Sequence, residues 1–87
     1  MKKVKMMILD SCPYCHQAFA MMERLCAEHE EYREVDVEVI EESKEPEKIK
    51  GYHYWYVPTF FVGEEKVHEG VPTEEKVEAV YRAALGK

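Results

Sequence analysis

Cys12 and Cys15 stand three residues apart in the run Asp10-Ser11-Cys12-Pro13-Tyr14-Cys15. On a helix, residues at this spacing share a face. Their Cα atoms then fall within the roughly 5–6 Å that a disulfide requires. Such a pair can cycle between dithiol and disulfide, provided that one sulfur is available as thiolate. A cysteine at a helix N-terminus meets unpaired N–H groups and the positive end of the helix dipole, and both favour an anion. Cysteines in that position titrate at roughly 3.5–7.5 instead of about 8.5. Cys12, at the helix start, is therefore the expected nucleophile. Cys15, one turn further in, is the expected resolving thiol. Cys12 attacks a disulfide to form a mixed disulfide, and Cys15 then attacks Cys12 and releases the reduced substrate. Pro13 suits the first helical turn. Asp10 opposes a nearby thiolate, and the helix end is expected to outweigh it.

A C-x-x-C pair is also half of a zinc site, which needs two more ligands. Cys26 lies on the same predicted helix, about 16 Å along its axis from Cys15 at 1.5 Å per residue. His16 points to another side. No intramolecular metal site is expected, and no Cys15–Cys26 disulfide. Cys26 falls on the apolar stripe and reads as a small core residue. His16, His29, His53 and His68 are scattered and read as surface or packing residues, with His16 alone near the thiols.

A strand and a helix must hold the pair in place. Val4 to Leu9 is a short apolar run with β-branched residues and reads as a buried strand. Ser11 or Cys12 can cap the following helix, predicted from Pro13 to about His29 on the recurrence of Ala18, Phe19, Met22, Leu25 and Cys26. Tyr32 to Val37 alternates and predicts a second strand. The charged stretch Glu38 to Lys50 predicts a helical segment with Pro46 near its start. Thr59 to Val62 reads as a third strand, Gly63-Glu64 as a turn and Lys66 to Glu69 as its hairpin partner. Thr73 caps a last helix that carries Glu74 and Glu75 in its first turn and runs to Leu85, with Gly86 as its stop. The order is β-α-β-(α)-β-β-α. It predicts an α/β fold with a four-stranded mixed sheet, its first two strands parallel, and helices on both faces.

The 87 residues allow one domain, 1–87, and no second. The net charge of −6 repels phosphate backbones and argues against nucleic acid as a partner. The acid concentrates between Glu28 and Glu47, read as a solvated face. No apolar run approaches the ~20 residues that span a bilayer. The start Met-Lys-Lys-Val-Lys lacks the apolar core of a signal peptide, so a cytoplasmic location is expected. Three cysteines, an odd number, suit catalytic or metal chemistry better than a secreted disulfide scaffold.

C-P-Y-C after a short first strand, Val57-Pro58-Thr59 before the third, then Phe60-Phe61-Val62-Gly63 and a glycine-bearing turn into the last helix together resemble glutaredoxins and their thioredoxin-fold relatives. The resemblance covers nearly the whole chain. It implies a cis Val57–Pro58 peptide facing the cysteines, with the Val57 backbone free to pair with an extended substrate, and Tyr14 lining the substrate groove. It implies disulfide substrates, protein or small-molecule, and no cofactor beyond glutathione as a co-substrate. The electron donor would be glutathione or a thioredoxin reductase. Two elements depart from the glutaredoxin pattern. Leu9 stands where a glutathione-binding Lys is common. Gly70-Val71-Pro72-Thr73 replaces Gly-Gly-x-Asp, leaving Gly70 and the helix start at Thr73 as contacts for glutathione or another substrate. The expected activity is dithiol reduction of disulfides. The alternatives are glutathione-dependent deglutathionylation through Cys12 alone, and a module carrying metal or an iron–sulfur cluster through Cys12. Aromatics from the run Tyr52-His53-Tyr54-Trp55-Tyr56 are expected to split between packing and exposure, since alternate residues of an extended run face opposite ways.

Overall fold

The computed structural model describes residues 1–87. Its central strand is β1 (Val4–Ile8), the apolar run that opens the sequence. β2 (Val37–Glu41) pairs with it in parallel, and β3 (Thr59–Val62) lies antiparallel on its other side. β4 (Glu65–Glu69) returns from β3 as a hairpin, giving the order β2-β1-β3-β4. Two helices complete the domain, α1 (Pro13–Glu28) and α2 (Glu74–Leu85). The α/β class, the mixed four-stranded sheet and the parallel first pair all stand as the sequence predicts.

Pleating sorts the strand residues between two faces. Val4, Met6 and Ile8 of β1 join Phe60 and Val62 of β3 in the larger core. Cys15, Ala18 and Leu25 of α1 and Val77, Val80, Tyr81 and Ala84 of α2 cover that face. Both helices therefore lie on one side. The opposite face holds Met7, Ile40 and Phe61, with Ile49, Tyr52, Tyr54 and Val57 packed against them. The helix expected there is reduced to one 3-10 turn, Pro46–Ile49. Between Pro46 and Gly51 only Ile49 is apolar, so no helical stripe exists to bury. Tyrosines do the covering instead. The Tyr52 ring meets Phe61 edge-on at 4.8 Å, and its hydroxyl accepts from Lys5 Nζ at 2.8 Å. Tyr54 packs on the same ring, and its hydroxyl donates to Glu42.

The second strand begins five residues later than the alternation of 32–37 predicts. Tyr32 stacks on Tyr81 at 5.0 Å and donates its hydroxyl to Glu78 Oε2 at 2.6 Å. That anchoring draws Glu30–Glu34 into a 3-10 turn. The strand forms where Val37, Val39 and Ile40 come into register with Val4, Met6 and Met7. Its glutamates are tolerated because β2 is an edge: Glu38 meets Lys3 at 3.3 Å and Lys48 at 3.4 Å.

α2 follows its sequence signals. Thr73 Oγ1 accepts the Lys76 N–H at 3.1 Å, and Gly86 closes the helix at φ +78°, a left-handed conformation that glycine adopts freely. The Lys2 N–H donates to the Ala84 carbonyl at 2.8 Å, tying the first residues to the last helix. No helix is long and apolar enough to cross a membrane.

Candidate functional site

Cys12 is the N-cap residue of α1, with extended backbone at φ −85°, ψ 115°. Its carbonyl accepts the N–H groups of Cys15 and His16 at 3.1 and 3.3 Å, which begins the helix. Pro13 occupies the first turn, where a missing N–H leaves no bond unmade. Both cysteines are free thiols, 3.4 Å apart and not joined.

Their surroundings differ. Cys12 is half-buried, and its thiol lies 3.7 Å from the Val57 carbonyl oxygen, an S–H donor facing a backbone acceptor. Cys15 has 0% exposure and belongs to the core between α1 and the sheet. Burial pushes its thiol up to about 12, aided by the hydrogen bond and charge of Cys12 and by the Glu42 carboxylate, while a backbone hydrogen bond at Leu9 acts in the opposite sense. Cys15 is thus held protonated at neutral pH in the reduced protein.

The loop before α1 is braced by β2. Glu41 accepts the Asp10 N–H at 2.7 Å and the Ser43 N–H at 2.7 Å, and these bonds with the Ser43 hydroxyl hold its carboxyl down to about 2. Asp10 carries its own counter-charge: its carboxylate meets Lys44 Nζ at 2.6 Å. His16 Nε2 lies 2.7 Å from the Asp10 carbonyl oxygen.

Opposite Cys12 the Val57–Pro58 peptide is cis, and Pro58 is fully buried. The segment before it is held from β4. Glu69 Oε2 accepts the Tyr56 N–H at 2.9 Å and the Trp55 N–H, while Lys66 Nζ reaches Glu69 Oε1 at 2.7 Å. These bonds depress the Glu69 carboxyl to about 2. The Thr59 hydroxyl donates to the Tyr56 carbonyl, and the Gly70 N–H to the Pro58 carbonyl at 2.9 Å.

A groove of about 270 Å³ adjoins this loop, lined by Tyr14, Tyr56, Val57, Gly70 and Val71. Of the residues singled out in the sequence, Tyr14, Val57 and Gly70 thus share one concavity, and Cys12 borders it through Val57. Thr73 stands apart, its hydroxyl committed to the α2 cap. Gly70 adopts φ +94°, a conformation that side chains rarely reach, where the chain turns from β4 past Tyr56. The aromatic run splits as predicted, with Tyr52 and Tyr54 packed on the sheet and Trp55 and Tyr56 90% and 70% exposed. Sequence reasoning missed Val71 and Glu69. Nothing local marks Glu69, whose backbone partners lie 13 and 14 residues away. No group of three or more His, Cys, Asp or Glu side chains is arranged to hold a metal ion.

Comparison with curated proteins finds no match. The family model for the thioredoxin domain matches residues 2–82, which is nearly the whole span of strands and helices described above. With that match over most of its length and a compact β-α-β-β-β-α order, the chain belongs to the thioredoxin-domain family.

Proposed function

We propose that the protein is a thiol–disulfide oxidoreductase that reduces disulfides by dithiol exchange. The observation that carries this reading is the unequal burial of two free thiols 3.4 Å apart, Cys12 reachable at a helix N-cap and Cys15 enclosed. Cys12 thiolate attacks one sulfur of a substrate disulfide. The Cys12–substrate bond forms as the substrate S–S bond breaks, and the first substrate thiolate leaves and takes up a proton. Cys15 then gives up its proton and attacks the Cys12 sulfur. The Cys12–Cys15 disulfide forms and the second substrate thiol departs, so two electrons have passed from protein to substrate. Capture of Cys12 in the mixed disulfide removes its charge and its hydrogen bond from beside Cys15, two of the influences that hold Cys15 protonated.

The substrates proposed are protein or small-molecule disulfides, and the donor is glutathione or a thioredoxin reductase. The exchange runs on the two thiols alone, with glutathione at most a co-substrate.

The test is NADPH consumption with a small disulfide, supplied in turn by glutathione with its reductase and by a thioredoxin reductase. Cys12→Ser is the blank. Dithiol exchange predicts turnover that Cys15→Ser abolishes. Turnover that survives Cys15→Ser with glutathione present replaces this reading with the monothiol one. No turnover above blank with either donor rejects both.

A further inference from the structure

A second and larger concavity, about 700 Å³ in volume, lies on the loop-covered face of the sheet. Lys50, Tyr52, His53, Phe61, Glu64 and Lys66 line it. Phe61 belongs to the face opposite the core that holds Cys15, so the sheet itself separates this cleft from the thiols. Its volume is within the roughly 300–1,000 Å³ of small-molecule sites.

The charge of the lining runs against that of the chain. Eighteen acidic residues outnumber twelve Lys and Arg, so a lysine left without a carboxylate calls for a reason. Glu38, beside Lys5 in register, is held by Lys3 at 3.3 Å and Lys48 at 3.4 Å. Lys5 Nζ donates instead to the neutral Tyr52 hydroxyl at 2.8 Å and lies 5.0 Å from the centre of that ring. Lys50 is exposed and forms no ion pair. Phe61 pairs with Lys5 on one side and with Lys66 on the other, so two lysines flank an aromatic floor. The single carboxylate of the lining, Glu64, is exposed at the hairpin turn, where its side chain is free to point to solvent. A phosphate suits the ammonium groups. A flat ring attached to it suits Tyr52 and His53.

Lys66 also connects the cleft to the loop ahead of the cis-proline. Its Nζ donates to Glu69 Oε1 at 2.7 Å and to the His53 carbonyl at 3.4 Å, and Glu69 Oε2 in turn accepts the Trp55 and Tyr56 N–H groups. A phosphate beside Lys66 competes with Glu69 for one ammonium.

We propose that this cleft binds a ring-bearing phosphate of mononucleotide size, and that the ligand draws Lys66 from Glu69 and so loosens the loop 52–58. Lys50 and Lys66 hold the phosphate, and Tyr52 and His53 pack against the ring. Neither part of the proposal involves the cysteines, so it stands or falls apart from disulfide exchange.

The experiment is isothermal titration calorimetry of the reduced wild-type protein with AMP, adenosine and inorganic phosphate in turn, with Trp55 emission followed alongside. AMP is expected to bind about tenfold more tightly than either fragment, the ratio that one charge-assisted contact supports. Lys50→Gln, an exposed change that leaves the melting temperature unaltered, is expected to lower AMP affinity by about as much. Saturating AMP is expected to move Trp55 emission towards its value in Glu69→Ala. Coupling is reciprocal, so Glu69→Gln, which removes the competing charge, should tighten AMP binding. Glu65→Gln, which removes an equal charge beside Val62 on the other face, should tighten it less. Absence of AMP binding, or affinity untouched by Lys50→Gln, overturns the site. Adenosine or inorganic phosphate binding as tightly as AMP overturns the ligand class. Emission unchanged at saturating AMP, or equal tightening by Glu69→Gln and Glu65→Gln, overturns the coupling through Lys66.

Discussion

A thiol without exposed surface ionises only when something nearby compensates for the lost water, and the surroundings of Cys15 do the reverse. Two neighbouring sulfurs should therefore differ sharply in reactivity. Iodoacetamide at pH 7.5 is expected to label Cys12 in the folded, reduced protein and to leave Cys15 unmodified until guanidinium unfolds the chain. Peptide mass spectrometry reads this directly, and equal labelling of both in the folded protein would contradict the division of roles. The same burial makes alkali destabilising. Cys15 and Tyr32 are each pushed up to about 12 from ordinary values of 9.0 and 10.0, and desolvation is the leading cause in both. Tyr81 rises for the same reason. Groups raised on folding contribute stability that is whole below their unfolded values and is lost as pH rises through the folded ones. The melting temperature should hold up to pH 9 and fall steadily towards pH 12, as circular dichroism would show. At this scale the placement of Cys12 and Cys15 was readable, because a C-x-x-C turn at a helix start is a local arrangement. Glu69 was not readable, because its role depends on a loop from another part of the chain.

Among the elements, the loop 52–58 depends on side chains of β4 more than on its own residues. Glu69 accepts two backbone N–H groups and a lysine, and its carboxyl is depressed to about 2. A group lowered on folding contributes stability that is present above its unfolded value and is lost as pH falls through its folded one. Trp55, the sole tryptophan, sits in this clamp. Its emission should stay constant from neutral pH down to about 4 and change between about pH 4 and 2, the window between ordinary and depressed carboxylate values. In Glu69→Ala that transition should be missing. α2 offers a simpler case, since its cap is a single hydroxyl. Thr73→Ala should cost about 1 kcal/mol, lowering the melting temperature by roughly 4–8 °C in a domain of this size. α1, α2 and the hairpin were legible because caps, glycine stops and apolar periodicity agreed. β2 was not: its glutamates hid the short Val37-Glu38-Val39-Ile40 alternation, and Tyr32 mimicked a strand residue while serving as a tyrosine stack.

The whole molecule is an asymmetric sheet, with two helices on one face and a tyrosine-bearing loop on the other. That asymmetry explains where sequence reasoning stopped. A helix announces itself by period, whereas a loop that covers a sheet with Tyr52 and Tyr54 shows only composition. The cysteine pair sits at the helix-covered face and the groove beside Val57 at the rim, where β4 turns into α2. The hydrogen bond from Lys2 to Ala84 brings the two ends of this domain side by side, remote in sequence from both. Order along the chain is then separable from order in space. If a few Gly and Ser residues join Lys87 to Met1 and the chain is reopened between Gly63 and Glu64, every strand keeps its neighbours. Such a circular permutant should fold, with Cys12 and Cys15 now in the interior of the reordered chain, and should differ from the parent in how fast it folds more than in what it becomes.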